Sequence, residues 1–131
     1  MSQLTGKWKH DRSENLEELL AAMDVGMVMR KLAGSTSPTV DIAVADDGTW
    51  TIKAATAVKT MTSTFKLGEP FEESGPDGKK RKVASLENDV LTVKVVDDPA
   101  GAVVIREVVD GQMIMTMTKG SVTAKRIFNR A

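Results

Sequence analysis

The sequence predicts an all-β protein in which about ten antiparallel strands are joined by short turns and a pair of helices follows the first strand. Two observations predict it. Val, Ile and Thr supply 33 of the 131 residues (15, 5 and 13), and β-branched side chains favour the pleated backbone of a strand. Turn-forming pairs such as Asp-Gly recur at the roughly 8–12-residue spacing typical of antiparallel sandwiches and barrels. These patterns indicate either a sandwich or an up-and-down barrel.

Turn signals set the order of the strands. Gly accepts a positive φ without a steric penalty, so the pairs at 110–111 and 119–120 suit tight hairpins. Further turns are expected at 46–48, 76–78, 87–89 and 98–101. We expect strands near 5–11, 39–45, 48–54, 57–66, 69–73, 79–87, 90–97, 101–109, 112–118 and 121–129.

Residues 14–34 are the only predicted helical region. Apolar side chains recur there at spacings of three and four, at Leu16, Leu19, Leu20 and Met23. Ser13 or Asn15 can cap the start by accepting hydrogen bonds from free backbone N–H groups. The segment 24–26 breaks the pattern, and a second short helix follows it. Gly34 suits the position just after the end of that helix.

Composition argues against several classes of protein. The 18 Lys and Arg residues balance 18 Asp and Glu residues, so the basic excess of a nucleic-acid-binding protein is absent. The chain has no Cys, which excludes disulfides and thiolate metal sites and fits a reducing cytoplasm. Its apolar runs are far shorter than the roughly 18–20 residues of a membrane span, and the N-terminus has no apolar signal core. We expect one monomeric, cytoplasmic domain over residues 1–131, with no nucleic-acid partner.

The last three strands can be placed in register. A turn at 110–111 pairs 106 with 115 and 104 with 117, and a turn at 119–120 pairs 117 with 122 and 115 with 124. Because side chains alternate between faces, one face collects mainly apolar residues and is predicted to be the inner one. Its members are Val104, Arg106, Val108, Met113, Met115, Met117, Val122, Ala124, Arg126 and Phe128.

Two arginines on an inner face require compensation for their charge. Burial of an unpaired guanidinium costs several kcal/mol, so an internal carboxylate, ordered water in a cavity or an anionic ligand must accompany it. A barrel of about ten strands is wide enough for a solvated cavity, and guanidinium groups suit a carboxylate. An Arg–Glu pair that closes the barrel end is the structural alternative. The methionines are either ordinary core or an adaptable apolar wall, and the second interpretation implies an amphipathic ligand with an anionic head.

Several segments together resemble the intracellular lipid-binding proteins, the fatty-acid-binding protein family. They are Gly6-Lys7-Trp8-Lys9 with Ser13-Glu14-Asn15-Leu16, Val25-Gly26 with Arg30-Lys31-Leu32-Ala33-Gly34, Phe65-Lys66-Leu67-Gly68-Glu69-Pro70-Phe71, Arg106, and Arg126-Ile127-Phe128. The resemblance covers the whole chain. It implies a ten-stranded antiparallel up-and-down β-barrel of clam shape, with a helix-turn-helix lid. It also implies reversible intracellular binding and transport of a long-chain fatty acid.

The resemblance implies a carboxylate site at Arg106 and Arg126. The ligand-binding residues that we expect are Arg106, Arg126, Phe128, Met115, Met117, Leu16, Val25, Met29, Pro38, Val58 and Val104. The family places a tyrosine hydroxyl at the position of Phe128, and loss of one hydrogen bond to a charged group costs about 1.5–3 kcal/mol if nothing replaces it. A retinoid or another acidic lipid in the same cavity, or a barrel that acts as a protein or membrane interaction module, remains an alternative.

Catalysis is not expected. His10 is the only histidine, and neither a nucleophile elbow nor a phosphate-binding loop occurs. We expect no cofactor and no metal. The basic segment 79–82, with Arg30 and Lys31, is either a solvated surface or a contact for anionic membranes. We expect the helical lid and the turns at 56–60 and 75–79 to open for the ligand.

Overall fold

The described residues form ten antiparallel strands and two helices in the predicted order. The computed structural model of the protein describes residues 2–57, 59–75 and 78–131. The elements are β1 (Gly6–Glu14), α1 (Leu16–Ala22), α2 (Met27–Gly34), β2 (Thr39–Val44), β3 (Thr49–Ala55), β4 (Thr60–Lys66), β5 (Phe71–Gly75), β6 (Gly78–Glu87), β7 (Val90–Val95), β8 (Val103–Val109), β9 (Gln112–Lys119) and β10 (Val122–Arg130). Each predicted strand end lies within three residues of the observed one.

All ten strands belong to one sheet, which curls into a nearly closed barrel and excludes the sandwich. The hydrogen-bonded order is β4-β3-β2-β1-β10-β9-β8-β7-β6-β5, so the first and last strands of the chain are neighbours. Strand β1 extends three residues beyond its predicted end because it continues to pair with β10 past a bulge at 10–12. The prediction of a ten-stranded barrel with two helices after the first strand is confirmed.

Side chains bridge the gap between β4 and β5, which form no ladder with each other among the described residues. The Phe65 and Phe71 rings stack across this gap with centroids 4.9 Å apart. The Ser63 hydroxyl donates a hydrogen bond to Glu73 Oε2 at 2.5 Å. The barrel is therefore closed here by packing and polar contacts rather than by backbone hydrogen bonds.

The hairpin between β9 and β10 differs from its predicted register. Met117 pairs with Ala124, and Met115 with Arg126, so the predicted pairs of 117 with 122 and 115 with 124 are wrong by two residues. The turn is Gly120-Ser121, because Gly120 adopts the positive φ (61°) of its first position without steric cost. A shift of two keeps every side chain on its face. The predicted inner face is therefore confirmed, and both core clusters and the cavity draw residues from it.

The helix ends also differ from the predicted caps. Asn15 occupies the cap position before α1 with φ 60°, but its side chain makes no capping hydrogen bond to the helix. Its amide instead donates to the Thr123 carbonyl at 2.9 Å, which joins the helix start to β10. Gly34 is the last residue of α2 and Ser35 is the cap, so the prediction that Gly34 follows the helix is wrong. The predicted break at 24–26 is confirmed.

The core of the described residues consists of two apolar clusters. One contains Trp8, Trp50 and Phe128. The other packs the buried face of α1 against Met117 and Ala124. Helix α2 contributes none of its eight residues to the buried core, and Val28 is 81% exposed. The lid therefore consists of one packed helix and one superficial helix.

Trp8 offers a test of the apolar cluster that also contains Trp50 and Phe128. Its indole N–H donates to the Leu4 carbonyl at 2.9 Å, and both residues are fully buried. Trp50 is 3% exposed, and its indole donates to none of the described residues. Trp8→Phe and Trp50→Phe remove similar volume, but only the first leaves a buried acceptor unpaired. We expect Trp8→Phe to lower the unfolding free energy by about 1–3 kcal/mol more than Trp50→Phe does.

Urea titrations followed by far-ultraviolet circular dichroism measure this difference. Equal losses in the two variants would show that the hydrogen bond to Leu4 adds no net stability.

Candidate functional site

A cavity of about 270 Å³ lies between the two apolar clusters. The cavity is lined by helix α1, by Ala33 of α2, by the segment before β2 and by strands β2–β10. This volume is slightly below the roughly 300–1,000 Å³ of typical ligand pockets. Most of the wall is aliphatic, and its charged residues are Glu73, Lys82, Arg106 and Arg126.

Most of the predicted ligand-binding residues line this cavity. They are Leu16, Pro38, Val104, Arg106, Met115, Met117, Arg126 and Phe128. Val25 is buried instead in the apolar cluster formed around α1, and Met29 is 58% exposed on α2. Val58 lies outside the described residues.

Arg106 and Arg126 are placed by the sheet on either side of one methionine. Met115 pairs directly with Arg106 of β8 and with Arg126 of β10. Directly paired residues share a face, with Cα atoms about 5 Å apart. The two guanidinium groups therefore start from one row of the inner wall, with their Cα atoms roughly 10 Å apart, and long side chains can converge on one small anion.

Arg126 has a donor without a partner. Its Nη2 donates to the Thr36 carbonyl at 3.1 Å, which ties β10 to the loop after α2. Its Nε is buried and makes no hydrogen bond to any described residue. Removal from water lowers the pKa of Arg126, because burial disfavours the charged form. An anion beside this side chain would therefore accept a hydrogen bond from Nε and offset the cost of removing the positive charge from water.

Arg106 is part-buried in the cavity wall and has no close carboxylate partner among the described residues. Neither it nor Arg126 forms an ion pair with an acidic residue in the described part of the chain. Burial lowers the pKa of Arg106, and attraction to the more distant Glu73 opposes this effect. The structural alternative of a contact Arg–Glu pair is therefore not formed by the described residues.

A polar cluster that the sequence analysis missed faces the same cavity. The Lys82 ammonium donates to Glu73 Oε1 at 2.8 Å, while Ser63 donates to the other carboxylate oxygen. Burial would raise the pKa of Glu73, but the hydrogen bonds from Lys82 and Ser63 and the attraction of Arg106 outweigh it and lower that pKa. Period-two alternation with Ala84 and Leu86 was the available signal that Lys82 points inward.

Phe128 occupies the wall beside the arginine row. It is 1% exposed and pairs with Met113 of β9 and His10 of β1. Its ring meets the His10 ring edge to face, with centroids 5.6 Å apart. Burial and the nearby positive charge of Arg126 lower the pKa of His10, so this ring adds no positive charge at neutral pH. The Phe128 ring therefore presents only C–H groups at the position where the resemblance implies a tyrosine hydroxyl.

The charged cavity residues give the site an anion-binding character. Three cations, Lys82, Arg106 and Arg126, face one carboxylate, Glu73, which leaves two net positive charges on the described lining. No group of three or more His, Asp or Glu residues in the described ranges could hold a metal ion. Within these ranges, neither helix has the length and apolar character needed to cross a bilayer. The arrangement can bind an apolar molecule that carries an anionic group.

Comparisons with known proteins agree with this architecture. Residues 5–131 match the model of the lipocalin / cytosolic fatty-acid binding protein family. The adipocyte fatty acid-binding protein of Pygoscelis papua is 37% identical over 130 residues, which cover 98% of each chain. Cellular retinoic acid-binding protein 2 of Rattus norvegicus is 38% identical over 138 aligned positions, with 99% of each chain covered.

A solved structure shows the same fold with a lipid present. The Schistosoma mansoni fatty acid binding protein in complex with arachidonic acid superposes with a TM-score of 0.91 at 32% identity, over 100% of this chain and 98% of that one. The family model and these relatives, matched over nearly the whole chain, show that the protein belongs to the lipocalin / cytosolic fatty-acid binding protein family. The relatives of the fatty-acid-binding type are lipid carriers and not enzymes.

Proposed function

We propose that the protein reversibly binds and transports a long-chain fatty acid, with the carboxylate held by Arg106 and Arg126 inside the cavity. The observation that carries the proposal is the unpaired, buried Nε of Arg126, in one row with a second, part-buried arginine. A carboxylate supplies the acceptor and the negative charge that both groups lack. We also propose that the carrier is cytoplasmic and monomeric and binds no nucleic acid.

Apolar burial supplies most of the affinity in this proposal. Burial of about 15 methylene groups at roughly 0.8 kcal/mol each contributes on the order of 12 kcal/mol before any cost is subtracted. Lost translational and conformational freedom removes a sizeable part. The remainder fits dissociation constants from micromolar to nanomolar, while the arginines select the head group.

A retinoid or another acidic lipid is the second candidate ligand. A relative of 38% identity is named for retinoic acid, and the carboxylate chemistry of the site suits both ligand classes.

Contact with anionic membranes is part of the same proposal. Met27, Val28, Met29 and Leu32 are exposed on α2, beside the basic Arg30 and Lys31, so this helix offers apolar and basic groups to a lipid surface.

Arg126→Ala tests the head-group site. We expect the variant to bind a long-chain fatty acid at least tenfold more weakly, because a hydrogen bond to a charged group is worth about 1.5–3 kcal/mol. The methyl ester of the same acid carries no charge, so its affinity should change little. Isothermal titration or displacement of a fluorescent fatty acid measures both. Equal losses for acid and ester would make Arg126 a structural residue only.

Phe128→Tyr tests the departure from the family pattern. A hydroxyl on this ring adds a donor next to the arginine row, so we expect tighter binding of the acid, by roughly tenfold, and no gain for the ester. Weaker binding of both ligands would show that the added oxygen only clashes with the cavity wall. The comparison uses the same titrations as Arg126→Ala.

Helix α2 is the expected moving part of the lid, because none of its eight residues is buried while α1 buries three leucines. We expect backbone amides of 27–34 to exchange hydrogen faster than those of 16–22 and to slow when a fatty acid is bound. Hydrogen–deuterium exchange with mass spectrometry measures both segments in one experiment. Equal protection of the two helices, with and without ligand, would place the entry route elsewhere.

A further inference from the structure

The polar cluster of Ser63, Glu73 and Lys82 has more hydrogen-bonding capacity than the described residues use. Lys82 has three N–H donors, but among the described residues its ammonium group donates only to Glu73. Its side chain is 12% exposed, and that of Glu73 is 23% exposed. Both line the cavity, so their remaining donors and lone pairs face the space that a ligand would occupy.

Closure of the barrel wall does not account for the whole cluster. The hydrogen bond from Ser63 to Glu73 spans the gap between β4 and β5, and Glu73 alone suffices for that link. Lys82 lies on β6 and adds a second charge to an apolar cavity. Outside the barrel, Glu72 and Lys79 on the same two strands pair at 2.9 Å with both side chains more than half exposed. The inner pair of Glu73 and Lys82 is different, because a buried N–H donor that makes no hydrogen bond raises the free energy of the folded protein.

We propose that this cluster is a second polar subsite, which binds an oxygen-bearing group, foremost a hydroxyl, on the hydrocarbon chain of the ligand. A hydroxyl can accept a hydrogen bond from Lys82 and donate one to Glu73, so it matches both unused functions. The inference rests on the proposed function and makes it narrower. The proposed ligands then become oxygenated fatty acids, in particular hydroxylated ones.

The sheet separates Lys82 from Arg126, while Arg106 lies on β8 between them and attracts Glu73. Lys82 on β6 and Arg126 on β10 have three strands between them, a path of about 19 Å around the wall at the usual strand spacing. A ligand whose carboxylate is at Arg126 therefore reaches Lys82 with a part of its chain remote from the carboxyl group. The apolar lining contributed by Val93, Val104 and Met117 on the strands between the sites accommodates the intervening methylene groups.

Affinities for stearic acid and for its mono-hydroxylated derivatives test the proposal. The series places the hydroxyl beside the carboxyl group, in mid-chain or at the terminal carbon. For at least one of the remote positions, we expect the wild-type protein to bind the hydroxylated acid roughly tenfold more tightly than stearic acid. Lys82→Met should abolish this preference, so that the variant binds stearic acid and the hydroxylated acid with affinities within about threefold of each other. Lys79→Met, the same substitution on the outer face of the hairpin, should preserve the preference.

The outcomes separate the two proposals. If the wild-type protein binds neither stearic acid nor any derivative, the proposed function itself fails. If it binds stearic acid at least as tightly as every hydroxylated derivative, or if Lys82→Met keeps the preference, only the second subsite is overturned. Should Lys82→Met fold poorly because Glu73 loses its partner, the double variant Lys82→Met/Glu73→Gln removes both charges. The same loss of preference is expected of it, and retention of the preference overturns the subsite.

Discussion

The positive charge of two part-buried arginines in the cavity wall is the constraint on which the rest of the site depends. Arg106 and Arg126 extend from one row of a wall whose other members are mostly aliphatic. Guanidinium groups do not shed their charge in proteins, and burial without a partner is costly. The one carboxylate on the described lining, Glu73, is hydrogen-bonded to Lys82 and Ser63 instead. The cavity therefore favours a ligand that brings its own negative charge.

The barrel and its lid determine where the arginine row and the second polar cluster lie. Pairing of β1 with β10 encloses the arginine row, and the leucines of α1 cover the cavity while α2 buries none of its residues. Strands β4 and β5 form no ladder with each other among the described residues, and Ser63 and Glu73 meet across this gap. The second polar cluster therefore lies at the gap in the sheet. In our proposals, the arginine row binds the anionic head group of the ligand, and the cluster of Ser63, Glu73 and Lys82 binds an oxygen on its chain.

Short-range patterns predicted much of the fold, whereas long-range pairing determined what they missed. Alternation of Met113, Met115 and Met117 predicted the inner face, and this survived a hairpin register that was wrong by two because a shift of two preserves the faces. The contribution of Glu73 depends on its position across the gap from β4, which no local pattern encodes. Exposure of Met29 is similar in kind, because it depends on how α2 lies on the barrel rather than on its own periodicity.

The ionisation state of the bound carboxyl group tests the arginine site most directly. Carbon-13 NMR of a fatty acid labelled at the carboxyl carbon follows that group while the pH is lowered on the intact complex. Two guanidinium groups in contact with the carboxylate should keep it ionised well below the pH at which the free acid takes up its proton. A bound carboxyl group that titrates like the free acid would contradict the assignment to Arg106 and Arg126.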